Sequence, residues 1–362
     1  MNRNTHDKIL LAHGGGGQLS DQLVRKHILP RFNNNTLAEL TDAAKLDLES
    51  KRICFTTDSY VVKPLFFNGG DIGKLAVCGT INDLAVSGSK PLVISLALII
   101  EEGLAFDVLD KILDSIAATA AENNVSIVTG DTKTVEAGAA DQIFINTTGL
   151  GIRLDGVELG FGKIAVGDKI IINGTIGDHG MTIMSLREDI GFHSKLKSDC
   201  AAVADLTCKL LTATKGVHPV GKNNPRETHS HHSTISNGVK FMRDPTRGGL
   251  AATLNEIAMQ TSLSITINEA DVPINPTVQA AADALGLDVL NAANEGKFVA
   301  VVARDCAEEC MNICRQHPLG KQSAIIGEVV KTEDVPVVEM TTKIGGRRIV
   351  QMPYGRELPR IC

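Results

Sequence analysis

Strand-like and helix-like stretches take turns along the first half of this chain. "RICFTTDSYVV" (52–62) is rich in β-branched and aromatic residues, and "DIGKLAVCGTINDLAVSG" (71–88) then carries apolar residues at helical spacing up to a Gly stop. "PLVISLALII" (91–100) reads as a buried strand, "FDVLDKILDSIAATAAENN" (106–124) as a helix, and "VSIVTGD" and "DQIFINTTGLGI" as two more strands. Such a pattern folds as an α/β domain, here ending near residue 155.

A second domain opens at "AVGDKIIINGTIGDHGMTIMSL" (165–186), strand to Gly-rich loop to helix. It closes with "KFVAVVARDCAEECMNICRQH" and "SAIIGEVV". At 362 residues the chain is long enough for two domains with a core each. The expected organisation is residues 1–155, residues 156–344 and a mobile tail, 345–362. "GVHPVGKNNPRETHSHHSTISNG" (216–238) is polar and aperiodic, a surface loop. From Gly345 onward "GGRRIVQMPYGRELPRIC" has little periodic apolar pattern and ends on the thiol of Cys362. A tail of that length extends at most about 55 to 60 Å.

Composition removes several classes of function. The formal charge is −6, Trp is absent and aromatic residues make up 3%, so there is little material for a basic, aromatic nucleic-acid surface. The apolar run 92–100 is about half the ~20 residues of a membrane helix, and the first residues lack a signal-peptide pattern. A cytoplasmic protein with neither membrane nor nucleic acid as partner is expected. Eight cysteines are too sparse for a disulfide scaffold. Cys306, Cys310 and Cys314 share one helix face without a fourth ligand nearby, which favours core packing over a metal site. His229, His231 and His232 could take up nickel or zinc, but a solvated loop is the simpler reading.

Chemistry-bearing residues concentrate in short polar motifs. Asp58 in "TTDSY", Asp83 in "TINDLA" and Asp131 in "TGDTK" could hold Mg²⁺ carrying phosphates at strand ends, or each could be a turn or cap residue. "HGGGGQLS" (13–20) offers the backbone N–H groups of Gly14, Gly15, Gly16 and Gly17 to phosphate oxygens, or is a flexible turn. In "MRDPTRGGL" (242–250), Arg243, Asp244 and Arg247 precede a helix. They suit an anion site, with a plain cap, Asp244 capping and Pro245 in the first turn, as the alternative. "NAANEGKF" (291–298) sets Glu295 and Lys297 on a Gly-containing turn, in a cleft or in solvent.

Taken in order, "HGGGG", "TTDSYVV", "TINDLAVSG", "VTGDTK", "INTTGLG", "GDHG", "RDPTRGGLA", "ANEGK" and the terminal "PRIC" resemble the signatures of the HypE family. These are the hydrogenase-maturation carbamoyl dehydratases of the PurM-like, aminoimidazole ribonucleotide synthetase-like, ATP-using superfamily. Most of these motifs place the chain only in the superfamily; the terminal Pro-Arg-Ile-Cys is specific to the carbamoyl dehydratases. The long His-containing segment before "RDPTRGG" departs from the pattern and implies an added surface loop.

The resemblance implies a two-domain α/β (α+β) fold, a homodimer sharing a barrel through its N-terminal sheets, and ATP between the domains near the dimer interface. Asp58, Asp83 and Asp131 fall on Mg-nucleotide positions, with Asn146 and the glycine loop alongside. Lys133 and Glu295 match polar residues around the reacting thiol, here Cys362. The implied reaction dehydrates a carbamoyl group on that thiol to a thiocyanate at the expense of ATP, supplying cyanide to hydrogenase iron. The implied partners are HypF as carbamoyl donor and a HypC–HypD complex as cyanide acceptor. Two rival readings are a sister synthetase acting on a small free substrate and a non-catalytic metal-carrying scaffold.

Overall fold

In the computed structural model, residues 8–14, 18–32, 34–38, 46, 48, 52–186, 196–213 and 238–352 are described. Two short helices, α1 (Gln18–Leu23) and α2 (Asn35–Ala38), precede the first sheet. Then follow β1 (Ile53–Tyr60), β2 (Phe66–Phe67), β3 (Gly70–Asp71), α3 (Ile72–Val86), β4 (Ser89–Glu101), α4 (Phe106–Glu122), β5 (Ser126–Val135) and β6 (Ile143–Arg153). The large strands run in the order β1-β6-β4-β5, with only β4 and β5 parallel, joined through α4.

Side chains alternate between the two faces of this sheet. Ile94, Leu96, Leu98, Ile100, Ile127 and Ile145 pack into one core with α3 and α4. Among the described residues the opposite face stays open, leaving Phe55 71% exposed on β1 and Ile99 40% exposed on β4. In α4, Leu109, Ile112, Leu113, Ile116 and Ala120 are buried at helical spacing, the stripe its sequence shows. α3 is buried on nearly every side, because it lies between this sheet and the second domain.

The second domain contains β7 (Lys169–Ile172), α5 (Asp178–Ser185), α6 (Ala204–Thr212), β8 (Val239–Arg243), α7 (Gly249–Thr261), β9 (Ser264–Asn268) and α8 (Pro276–Leu285). β10 (Val299–Val302), α9 (Ala307–Gln316), β11 (Ala324–Val330), β12 (Val338–Thr341) and β13 (Arg347–Ile349) complete it. Its sheet order is β13-β12-β9-β11-β7-β10-β8. Helices lie on both faces. Ile170 and Ile172 pack with α5, α7 and α8, whereas Ile171 packs on the other side with α6 and α9. The central strands are therefore continuous apolar runs, "KIII" and "VAVV". Cys306, Cys310 and Cys314 belong to the second of these cores, where burial pushes Cys310 up to about 12 and Cys314 to about 11. Core packing is their role.

One boundary needs correction. Residues 347–350, expected in the tail, belong to the fold, because Arg347–Ile349 pair with β12 and Val350, 2% exposed, donates its N–H to Val338 O at 2.8 Å. An exposed edge strand needs no apolar alternation, so "GGRRIV" carried no periodic signal. Cys362 lies outside the described residues, as do His229, His231 and His232.

Candidate functional site

α3 is set in place at both ends. Asp71 caps it, its carboxylate accepting the N–H groups of Gly73 at 2.8 Å and Lys74 at 3.1 Å. Near the other end the buried Asn82 clasps the second domain. Its Nδ2 donates to Ala201 O and Glu295 O, both at 3.1 Å, while its Oδ1 accepts Val203 N–H at 2.8 Å. One residue on, Asp83 faces a cavity of about 200 Å³ between the domains.

That cavity gathers Asp58 from β1 and Asp83 from α3 opposite Arg243, Asp244, Arg247 and Glu295 of the second domain. Thr246, Thr253 and Glu256 line it too, so the first half of α7 forms part of the wall. α7 starts at Gly249, whose φ is +60°, with Gly248 before it at φ +76°. A Cβ on Gly249 would sit 2.5 Å from the carbonyl oxygens of Leu290 and Ala292, so the paired glycines let the turn press against the segment leading to Glu295. The cap reading of Asp244 is overturned: the helix begins five residues later, on a glycine with no side-chain cap.

The pocket is electrostatically loaded. Burial raises the Asp83 carboxyl; the bond from Thr56 Oγ1, 2.8 Å long, pulls the other way, and the Asp58 charge adds to the rise. Burial, then the Asp83 charge, pushes Asp244 from 3.8 to about 7. Glu295, 3% exposed, is held well above the ordinary carboxylate range by burial first and then by Asp199, Asp244 and Asp58. Arg243 pairs with Glu256 at 2.8 Å. The Tyr60 hydroxyl, buried beside Asp58, has no hydrogen-bond partner among the described residues.

Not every expected residue arrives here. Asn146 bonds to β1, donating Nδ2 to Asp58 O at 2.8 Å and Ser59 Oγ at 2.9 Å, but its side chain lies on the sheet face of Ser59 and Asp131 and does not line the pocket. Asp131 and Lys133 do not line it either. Asp131 lies in a cross-strand row with Ala97, Asn146 and Ser59, whereas Asp58 lies in the next row, with Thr147 and Leu96. The two aspartates therefore point to opposite faces, and β6 and β4 separate their strands by about 14 Å. Asp131 and Lys133 form an exposed ion pair of 3.3 Å instead. The expected triad of Asp58, Asp83 and Asp131 is thus not one cluster in this chain. Among the described residues no group of three His, Cys, Asp or Glu side chains could hold a metal ion. Gly14 ends a 3-10 turn (Leu11–Gly14), while Gly15, Gly16 and Gly17 lie outside the described residues.

Sequence reasoning missed Tyr60, Asn82 and Asp199. The first two lie inside motifs already noted, so their place beside Asp58 and Asp83 was a usable signal. Asp199, in "KSDCAA", had none.

Two α/β units closing on a charged pocket are the architecture of AIR synthase related proteins. Residues 40–153 match the N-terminal domain of that family and residues 165–339 its C-terminal domain. The chain is 46% identical to the carbamoyl dehydratase HypE of Bradyrhizobium diazoefficiens over 352 residues, 97% of this chain and 95% of that one. A crystal structure of the hydrogenase maturation protein HypE in complex with ATP superposes with a TM-score of 0.86 at 40% identity, covering 98% of this chain and 99% of that one. HypE in a HypE–HypF complex gives 0.75 at 42% identity, covering 91% and 99%. The chain belongs to the AIR synthase related family, in its HypE branch. No helix among the described residues is long and apolar enough to cross a membrane.

Proposed function

We propose that this chain dehydrates a carbamoyl group carried on Cys362, using ATP, to a protein thiocyanate that supplies the cyanide ligand of [NiFe]-hydrogenase iron. The observation that carries this reading is the pocket itself. Carboxylates of one domain face Arg247 and the start of α7 in the other, with Glu295 buried in the wall. The ATP complex of a HypE relative supports it.

An S-carboxamide loses water reluctantly because its oxygen would depart as oxide or hydroxide. Attack of that oxygen on the γ-phosphorus of ATP forms a C–O–P linkage and releases ADP. The carbamoyl nitrogen then gives up both its protons as the C–O bond breaks, leaving C≡N on sulfur and free phosphate. Arg247 and the N–H groups opening α7 would hold phosphoryl oxygens. Glu295 is the general base for the nitrogen: its raised proton affinity makes it a strong acceptor once ionised.

Magnesium fits the pocket. Asp58 and Asp83 repel one another there, and this ion is ordinarily held by one or two carboxylates plus substrate phosphates, not by an all-protein cage. Held by Asp58 and Asp83, it would offset phosphate charge during transfer.

Asp131 and Lys133 find a role in a pair of chains. They share the open sheet face with Phe55 and Ile99. Closing that face against a second copy buries the exposed apolar residues and delivers Asp131 and Lys133 to the partner's pocket. Lys133 would there meet phosphoryl or thiocarbamate oxygens.

The thiol has the necessary reach. Asn255 Nδ2, on α7, donates to Val350 O at 3.0 Å, so Val350 lies beside the helix whose first half lines the pocket. α7 spans about 20 Å, and the twelve residues after Val350 can extend to about 40 Å. HypF as carbamoyl donor and a HypC–HypD complex as acceptor complete the reading. Replacing Glu295 by Gln should slow dehydration of the carbamoylated chain by about 10²- to 10⁴-fold; an undiminished rate would remove Glu295 from the chemistry.

A further inference from the structure

Asp199 does not line the charged pocket, yet it holds the turn that carries Glu295. Its side chain is 4% exposed. Its carboxylate accepts from three consecutive residues: Glu295 N–H at 3.2 and 3.3 Å to the two oxygens, Gly296 N–H at 3.2 Å and Lys297 Nζ at 3.0 Å. The approach is so close that a Cβ on Gly296 would lie 2.0 Å from Asp199 O, which no other residue type permits. From the opposite side Asn82 takes the Glu295 carbonyl oxygen at 3.1 Å. Both main-chain polar groups of Glu295 are thus fixed by buried side chains, one from each domain.

We infer that Asp199 is a positioning residue for Glu295, fixing the 295–297 turn so that the Glu295 carboxyl is held in the pocket at the reacting group. This rests on the reading of Glu295 as the base. Burial pushes the Asp199 carboxyl up, but the Lys297 ammonium, His179 and the bond from Glu295 N–H together hold it below the ordinary carboxylate range, so it stays ionised. An ionised acceptor suits three converging donors, because charge-assisted bonds are the stronger kind. Asp199 spends most of its acceptor capacity on the Glu295 turn.

The test uses Asp199→Asn in the full chain, charged with carbamoyl and assayed for ATP-dependent dehydration. Asparagine keeps the shape but turns an NH₂ group toward N–H donors, which loosens the turn. The expected result is a fall in kcat of about 10- to 100-fold with KM for ATP changed less than about 3-fold, as for a displaced catalytic group. Combined with Glu295→Gln, Asp199→Asn should add less than about 3-fold, since its effect passes through that carboxyl. Equal losses in both backgrounds, or a raised KM at constant kcat, would overturn the inference while leaving Glu295 as base. Full activity of Glu295→Gln alone would instead sink the reading beneath it. Should Asp199→Asn fail to fold, Lys297→Met leaves both backbone N–H donors in place and weakens their hold by removing a charge that keeps the carboxylate ionised. It should show the same dependence on Glu295 with a smaller fall, of about 3- to 10-fold, and losses independent of Glu295 would again overturn the inference.

Discussion

Asp244 shows how much strain the pocket carries before any substrate arrives. Its carboxyl is raised from 3.8 to about 7, by burial and then by the Asp83 charge, so the folded chain binds this proton more tightly than the unfolded chain does. Stability from this group is therefore full below pH 3.8 and falls as pH rises toward about 7. Asp244→Asn removes the cost of the charge. It should match the parent chain near pH 4 and be more stable near pH 8, by on the order of 2 kcal/mol after solvent screening. Thermal melts at the two pH values decide this; an equal shift at both would contradict the assignment. The identity of Asp58, Asp83, Asp244 and Glu295 as site candidates was legible from the short polar motifs around them. Their grouping apart from Asp131 was not, because it depends on sheet order and on which face each residue points to.

Elements were legible wherever a period ran long enough. β4, α4 and β6 follow directly from their apolar spacing, and β7 and β10 from continuous apolar runs between turn signals. β13 was not, since three exposed residues on a sheet edge carry no such pattern. α3 is instructive in another way. Its helix was evident from "DIGKLAVCGTINDLAVSG", but its position between the domains rests on Asn82, whose bonds span 119 and 213 residues of sequence to Ala201 and Glu295. Asp199 reaches Glu295 across 96 residues. Hydrogen bonds at such separations leave no local trace. For that reason the parts that align the two domains and hold the 295–297 turn became visible only in the fold.

At the scale of the whole molecule, the proposed pairing of two chains through the sheet face that carries Asp131 and Lys133 makes a complete site depend on both chains. Lys133→Ala and Glu295→Gln chains, each impaired alone, should then complement on mixing. Random pairing of equal amounts restores about a quarter of the sites, because half the pairs are mixed and each mixed pair has one intact pocket. Dehydration that stays at the level of the separate variants would place Lys133 outside the partner's site. The most direct measurement concerns the terminal thiol: intact mass of the chain charged by a carbamoyl donor system, before and after ATP. The expected result is one carbamoyl adduct, then loss of a single water only when ATP is present, with both changes absent in Cys362→Ala. An adduct that persists in Cys362→Ala, or a water lost without ATP, would contradict the proposal that Cys362 carries the substrate of its own pocket.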